Sequence, residues 1–248
     1  MQNYKISIAY DGRKYKGFGK SKGEADKTIQ GKLEAILTKL YKDEIEVVGA
    51  VNTGAGVHAQ EQVVNFVAPN GSLSKNEIFE YLEKYLTDDI ITLSVEKADA
   101  RFHSRYLLKS VTYEYRLWKC DAIKRPLFER QYVNVLSLNA DVAKMSRAAM
   151  EIEGSHDFLA FSSNKKVKKT VKEVRSINIE ETKNEIIITM NANGFLMNME
   201  RIIVGTLVQI GMGQLPIEAI GKAFEYKAAE YVGYKASAEA LCLLSVEY

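Results

Sequence analysis

The chain has 248 residues, of which 46% are hydrophobic and 27% are charged, with a formal net charge of +2. This composition excludes a disordered or fibrous chain and indicates one large α/β domain or two small ones sharing an interface. Two cysteines exclude a disulfide framework, no Cys/His cluster has zinc-ligand spacing, and the apolar runs are short, so we expect a cytoplasmic protein without a metal.

The first half of the chain alternates strand and helix patterns. Ile6, Ile8 and Tyr10 alternate with polar or small residues, which predicts a half-buried first strand ending at a turn. Helical spacing then runs from Ile29 to Leu40. The rest of this half is predicted as strands at residues 44–51, 62–68 and 91–98, a loop at 52–59, and a helix that starts with a Ser74/Glu77 capping box.

A similar order of elements follows in the second half. We predict strands at residues 111–118, 171–179, 185–192 and 241–248, and helices at 141–153 and 201–210. No repeat or Pro-rich linker separates the halves. We divide the chain into residues 1–105 and 106–248, packed as one body with a cleft.

Positive charge is concentrated in two segments. Five lysines fall within eight residues, at Lys165, Lys166, Lys168, Lys169 and Lys172, and this block is either a solvated loop or a patch that contacts phosphate. The loop after the first strand is also basic, through Arg13, Lys14, Lys16, Lys20 and Lys22. Together the two segments predict a basic rim suited to an RNA backbone.

Several segments, in shared order and spacing, carry a resemblance to one family. YDGRKYKGF resembles YDGxxYxGW, TIQGKLEAIL resembles SVQxxLExAL, and ARFHSR with VTYEYRL resembles ARFxA with TYxY. GSHDFLAF resembles GxHDFxAF, and NGFLMNMERIIVGTLVQIG resembles GxxFLxxMVRxIVGxLxxVG. On these motifs the chain is identified as a member of the bacterial tRNA pseudouridine synthase A (TruA) family.

The resemblance implies an α+β fold of two ferredoxin-like subdomains, whose sheets form one continuous mixed or antiparallel sheet with a central cleft. It implies a homodimer that binds tRNA, uses no cofactor or metal and does not associate with a membrane. The family reaction isomerises uridine to pseudouridine in the tRNA anticodon arm.

The same resemblance implies that a catalytic residue is missing. The family loop GRTDAGVHA carries the catalytic aspartate, and this chain reads VNTGAGVHA at residues 51–59. Gly54 stands at the place of the aspartate, and Asn52 stands at the place of an arginine that helps to open the base out of the stack. Because glycine cannot attack carbon or accept a proton, we predict an impaired or inactive enzyme.

Other pocket positions match the family. Tyr113 matches the tyrosine that stacks on the target base, Arg201 the arginine that pairs with the aspartate, and Leu241 an apolar pocket residue. Asp11 and Glu61 are the acids nearest in sequence to these loops, so they are the candidates to replace the aspartate. Asp11, however, matches a family position with a turn-stabilising role. His58 and His156 match non-catalytic positions, where a structural hydrogen bond is expected.

Three functions are compatible with these residues. The first is an RNA-binding member of the family with little or no synthase activity. The second is a working tRNA pseudouridine synthase that uses another acid. The third is an interaction protein that no longer binds RNA.

Overall fold

The structure, a computed structural model, describes residues 1–20, 23–69, 73–122 and 125–248. Its backbone forms two compact units: Met1–Lys109 with Cys242–Tyr248, and Ser110–Leu241. The sequence-based division falls after residue 105, whereas the units divide after Lys109 and the C-terminal strand is grouped with the first unit. The cause is a parallel pairing of Cys242 and Leu243 with His58 and Ala59, which periodicity within a strand does not reveal.

The first unit is an antiparallel sheet with two helices and one parallel strand. Its elements are β1 (Gln2–Tyr10), α1 (Ile29–Tyr41), β2 (Val47–Gly49), β3 (His58–Ala68), α2 (Lys75–Tyr85), β4 (Ile90–Ala98) and β10 (Leu241–Glu247). β1 lies between β3 and β4 and is antiparallel to both, β2 pairs with β3, and β10 is parallel to β3.

The first unit is built around β1. Tyr4, Ile6 and Ile8 are fully buried, and the Tyr4 ring stacks on Phe66 of β3 with ring centroids 5.4 Å apart. Thr28 caps α1 because its hydroxyl accepts the Gly31 amide. The predicted capping box of α2 is present, since Ser74 and Glu77 each bind the other's backbone amide.

The second unit consists mainly of antiparallel strands and three helices. Its elements are β5 (Ser110–Trp118), β6 (Asn134–Val135), α3 (Val142–Ile152), β7 (Gly154–Asp157), β8 (Val171–Glu181), β9 (Glu185–Ala192), α4 (Met199–Gly211) and α5 (Ala219–Tyr226). The strand order β5-β9-β8-β7 is antiparallel throughout, and β6 adds a short parallel pairing to β5. The predicted α+β class is confirmed; α5, β6 and β7 were not predicted.

An aromatic cluster fills one part of the second unit. His156 stacks on Phe224 with ring centroids 4.3 Å apart, and its Nε2 lies 2.9 Å from the Glu153 carbonyl oxygen. Phe158 and Phe161 complete the cluster. His156 therefore has the structural contacts expected from its sequence position, and it is occupied in packing rather than in acid/base chemistry.

Candidate functional site

The loop between β2 and β3 contains Asn52 and Gly54 and is fixed at Thr53. The Thr53 hydroxyl lies 2.7 Å from the Tyr10 hydroxyl in a buried hydrogen bond, and the Thr53 carbonyl accepts the Phe18 amide at 3.0 Å. Burial raises the pKa of Tyr10, so its hydroxyl stays protonated throughout the neutral range. The Gly56 amide donates to the Tyr15 carbonyl at 3.3 Å, so the loop is held in place on both sides of Gly54.

Gly54 is exposed, and the backbone does not require a glycine there. It lies outside the left-handed region, and a Cβ added to it would meet only Val57 Cγ2, at 3.8 Å. Two neighbouring glycines, in contrast, are required by the backbone. A Cβ on Gly12 would lie 1.9 Å from the Val57 carbonyl oxygen, and Gly17 has φ of +105°. Position 54 can therefore hold a side chain, and the local fold does not explain its absence.

Asn52 is also exposed, and an arginine binds it. Its Oδ1 accepts from Arg105 Nη2 at 3.2 Å, while Arg105 Nε donates to the Gly49 carbonyl at 3.2 Å. Arg105 thus bridges β2 and the Gly54 loop. It belongs to the ARFHSR segment, but motif matching gave it no role of its own.

Asp11 and Glu61, the two acids considered as substitutes for an aspartate at position 54, already have partners. Arg13 binds the Asp11 carboxylate through Nε and Nη2, and His58 Nδ1 lies 3.3 Å from Asp11 Oδ1 and 3.2 Å from the Gly12 amide. Ser7 donates to Glu61 at 3.3 Å. Asp11 also caps the turn that follows β1, which is the turn-stabilising position that the resemblance implies.

The second unit contains the other predicted pocket residues. Tyr113 on β5 is 3% exposed, and its ring meets Phe195 edge to face with centroids 5.5 Å apart. Leu241 is 2% exposed. Burial of this degree is what both a core position and a closed pocket require, so the roles of Tyr113 and Leu241 stay predictions.

Arg201 lies in the first turn of α4 and is held by neutral oxygens. Its Nε donates to the Ala236 carbonyl at 2.6 Å, and Nη1 reaches Asn198 Oδ1 at 3.4 Å. Within the part of the chain that the structure describes, no carboxylate lies within ion-pair distance of it. Burial lowers the pKa of Arg201, and the fields of Tyr115, Glu239 and Glu200 oppose that shift.

Glu200 is a buried acid beside Arg201 that motif matching missed. Glu200 is only 8% exposed, and burial raises its pKa to about 7. A hydrogen bond to its own backbone and the charge of Arg201 oppose this rise. The signal was present in the sequence, because MVR of the family pattern reads Met199-Glu200-Arg201 here. A carboxylate with a pKa near neutrality is suited to proton transfer.

The four described cations of the first basic loop are each paired with an acid. Lys20 lies 2.7 Å from Glu34 and Lys14 lies 3.4 Å from Asp89. Arg13 pairs with Asp11, and Lys16 pairs with Glu24. Lys22 lies outside the described residues. Pairing reduces what these cations can offer to an RNA phosphate.

The lysine block of the second unit is less compensated. Lys165 Nζ donates to the Leu159 and Ala160 carbonyls at 3.0 and 3.1 Å, and burial lowers its pKa. Lys166, Lys168 and Lys169 are exposed and have no ion pair with any described residue. These three lysines are available to bind an anion, whereas Lys165 fastens its own loop.

The described residues were also considered as metal ligands and as membrane-spanning helices. No group of three or more His, Cys, Asp or Glu side chains in this part of the chain could hold a metal ion. None of the described helices is long and apolar enough to cross a membrane.

Comparison with known proteins identifies the family. The family model described as tRNA pseudouridine synthase matches residues 6–107 and 148–248. Proteins named tRNA pseudouridine synthase A 2 from Bacillus cereus and tRNA pseudouridine synthase A from Acetivibrio thermocellus are 41% and 35% identical, each over the full length of both chains. The chain belongs to the tRNA pseudouridine synthase A family. The resemblance read from the motifs is confirmed.

The matched segments cover the predicted site unevenly. Asn52, Gly54, Arg201 and Leu241 lie inside them. Tyr113 lies between them, so its assignment rests on the TYEY motif alone.

Proposed function

We propose that this member of the family binds structured RNA, with tRNA as the substrate class, and is impaired or inactive as a pseudouridine synthase. Gly54 carries the proposal. The loop around it is fully formed, with Thr53 bound to Tyr10 and Phe18, yet the exposed position at its centre has no functional group.

The chemistry explains why this change matters. Isomerisation must break the glycosidic bond, turn the uracil and rejoin it through carbon. A carboxylate at position 54 would attack carbon or remove a ribose proton, and glycine does neither. Asn52 also lacks the positive charge of the arginine that the family motif has there. Asp11 and Glu61 are already bound by Arg13 and Ser7.

Binding of RNA does not depend on the missing carboxylate. Lys166, Lys168 and Lys169 are exposed and have no acidic partner among the described residues, and lysine contacts phosphate without reading sequence. Affinity for a tRNA transcript should therefore fall as salt rises from about 50 to 200 mM, because bound cations release counterions. Absence of binding at both salt concentrations would favour an interaction protein that has left RNA.

Restoring the carboxylate tests the catalytic part. Tritium release from uridine-labelled tRNA should be undetectable with the unmodified protein and should appear with Gly54→Asp, alone or with Asn52→Arg. Gly221→Asp is a matched control, because a Cβ there meets nothing within 4 Å and a Cβ on Gly54 meets only Val57 Cγ2 in ordinary contact at 3.8 Å. Release from both aspartate variants alike, or from the unmodified protein, would contradict the proposal.

A second candidate function is an active synthase that uses Glu200. The observation in its favour is a buried carboxylate with a pKa of about 7 next to Arg201, where the family pattern has valine. Robust tritium release by the unmodified protein that Glu200→Gln abolishes would establish this function. Release that survives Glu200→Gln would exclude Glu200 as the acid.

A further inference from the structure

A short segment of the first unit, residues 101–107, brings an arginine and an exposed tyrosine to the Gly54 loop. Arg105 is exposed, and among the described residues it donates only to neutral oxygens, those of Gly49 and Asn52, each at 3.2 Å. In the described part of the chain no carboxylate lies within ion-pair distance of it. Its charge is therefore uncompensated, unlike the charges of the four described cations in the first basic loop.

Asn52 explains how the arginine is kept at this loop. Its amide oxygen accepts from Arg105 Nη2, whereas an arginine at position 52 would place a second guanidinium beside the first. Arg105 therefore places a positive charge beside Asn52, which itself has none. Only part of the guanidinium is used, because Arg has five N–H donors and two of its nitrogens have described acceptors.

Tyr106 is 80% exposed, yet its ring is oriented. It stacks on His103 with ring centroids 4.1 Å apart and planes 26° apart. His103 Nδ1 accepts the amides of both Arg105 and Tyr106 at 3.2 Å, which fixes the turn beneath the stack. The outer face of the tyrosine is left for another planar group.

The anchor of this segment is neither Arg105 nor Tyr106 but Ser104. Ser104 is fully buried, its hydroxyl donates to the Val48 carbonyl at 2.7 Å, and its amide donates to Asn65 at 2.9 Å. The Tyr248 hydroxyl donates to the Ser104 carbonyl at 2.9 Å. Because Ser104 holds the backbone, the segment does not need the exposed side chains on either side of it for its position.

We propose that Arg105 and Tyr106 form an RNA contact in which the guanidinium binds a backbone phosphate and the tyrosine stacks on an unpaired base. An uncompensated guanidinium next to a pre-oriented aromatic ring is the pair of groups that single-stranded nucleic acid requires. The contact lies at the Gly54 loop, and it rests on the proposed binding of RNA.

Replacing Arg105 and replacing Tyr106 should weaken RNA binding in different ways. Arg105→Gln should weaken binding of a tRNA transcript about tenfold. It should also make the negative slope of log affinity against log salt shallower by about one, because one phosphate contact is lost. Tyr106→Ala should weaken binding about tenfold without changing the slope, and Tyr106→Phe should bind normally, because stacking needs only the ring.

Controls separate binding from folding. Lys39→Gln removes one positive charge from an exposed position of α1 and should leave affinity within about twofold of the unmodified protein. Thermal unfolding of each variant shows whether it is folded. If Arg105→Gln unfolds, Arg105→Lys keeps the charge but not the fork, and it should keep the salt slope while losing affinity.

The outcomes distinguish this contact from the function on which it rests. Salt-dependent binding by the unmodified protein that neither Arg105→Gln nor Tyr106→Ala weakens would overturn the contact and leave RNA binding standing. No binding by the unmodified protein would overturn both. A loss with Arg105→Gln that Lys39→Gln reproduces would reduce Arg105 to a contribution of net charge, which also overturns the contact.

Discussion

Gly54 and Gly12 lie close together in the first unit, but glycine is present for different reasons at the two positions. At Gly12 the Val57 carbonyl leaves no room for a Cβ, whereas at Gly54 the space is open. The sequence alone shows two glycines in loops. Only the coordinates separate the one that the backbone requires from the one that it tolerates.

This difference predicts opposite effects on stability. Gly54→Asp should change the free energy of unfolding by no more than about 0.5 kcal/mol, because the side chain enters solvent without backbone strain. Gly12→Ala should cost more than about 2 kcal/mol, since its methyl group would displace the Val57 carbonyl. Urea unfolding of both variants measures the two values. A large loss in Gly54→Asp would show that the loop requires glycine at position 54.

Glu200 makes a prediction about pH. Its pKa is about 7 in the folded protein and near its ordinary value of 4.5 when unfolded, so the folded state binds the extra proton. This contribution to stability is present below about pH 4.5 and is lost as pH rises through 7. Relative to Glu200→Gln, the unmodified protein should lose roughly 1 to 3 kcal/mol over that range.

Unfolding free energies at about pH 5 and pH 8 test the prediction for Glu200. The gap between Glu200→Gln and the unmodified protein should widen in favour of the variant at the higher pH. A gap that stays constant would show that the Glu200 carboxylate is not desolvated in the folded protein.

Motifs assign part of the candidate site at the residue level, and the residues that they leave out have a physical cause. Gly54, Asn52 and Arg201 could be assigned because adjacent residues fix the alignment, and their roles stay predictions. Arg105 was missed because its role depends on a contact with Asn52, 53 residues away in the chain. Glu200 was missed because burial, rather than residue type, raises its pKa.

Among the elements, strong periodicity predicted α1 to α4 and most strands, but it did not predict α5, β6 or β7. β1 was predicted as half-buried, yet Asn3 and Ser7 on its second face are also buried. A strand with a neighbour on each side can have both faces covered, and single-sequence alternation does not report this. β6 is only two residues long and α5 only eight, too short for a periodic signal.

The two basic segments should contribute differently to tRNA binding. Replacing Lys166, Lys168 and Lys169 with Gln should lower the slope of log tRNA affinity against log salt by about two to three, because three unpaired charges are lost. The double variant Lys16→Gln/Glu24→Gln removes the ion pairs of Glu24 with Lys16 and Lys27 without changing net charge and should bind tRNA normally.

A charge-matched variant makes the comparison specific. Lys39, Lys42 and Lys75 are exposed in the first unit, and replacing them with Gln removes the same charge as the triple variant of the block. We expect this control to lose less tRNA affinity than the triple variant of the lysine block. Equal losses would mean that only net charge matters and that the block is an ordinary solvated loop.

At the scale of the whole chain, the first unit is completed by the last seven residues. Lys109 donates to the Glu247 carbonyl at 2.9 Å, and the Tyr248 ring meets Phe102 with centroids 5.0 Å apart. The C-terminus therefore supports the segment that carries Arg105 and Tyr106. This long-range closure could not be predicted from periodicity, because it joins residues more than 130 positions apart.

Tyr248→Ala tests this support. Loss of the ring contact and of the hydrogen bond to Ser104 should cost about 1 to 3 kcal/mol and speed amide exchange in residues 102–109. Tyr248→Phe keeps the ring and should lose only the hydrogen-bond part, about 1 kcal/mol. Unchanged exchange in residues 102–109 would show that the segment is held without the C-terminus.

We infer that the Gly54 loop keeps its fold but has no group that can carry out the family reaction. The most direct test is tritium release from uridine-labelled tRNA with the unmodified protein in excess over the RNA, so that a single slow turnover is detected. We expect release no greater than in a sample without protein, even though the tRNA is bound. Release of one equivalent per tRNA would contradict it and direct attention to Glu200.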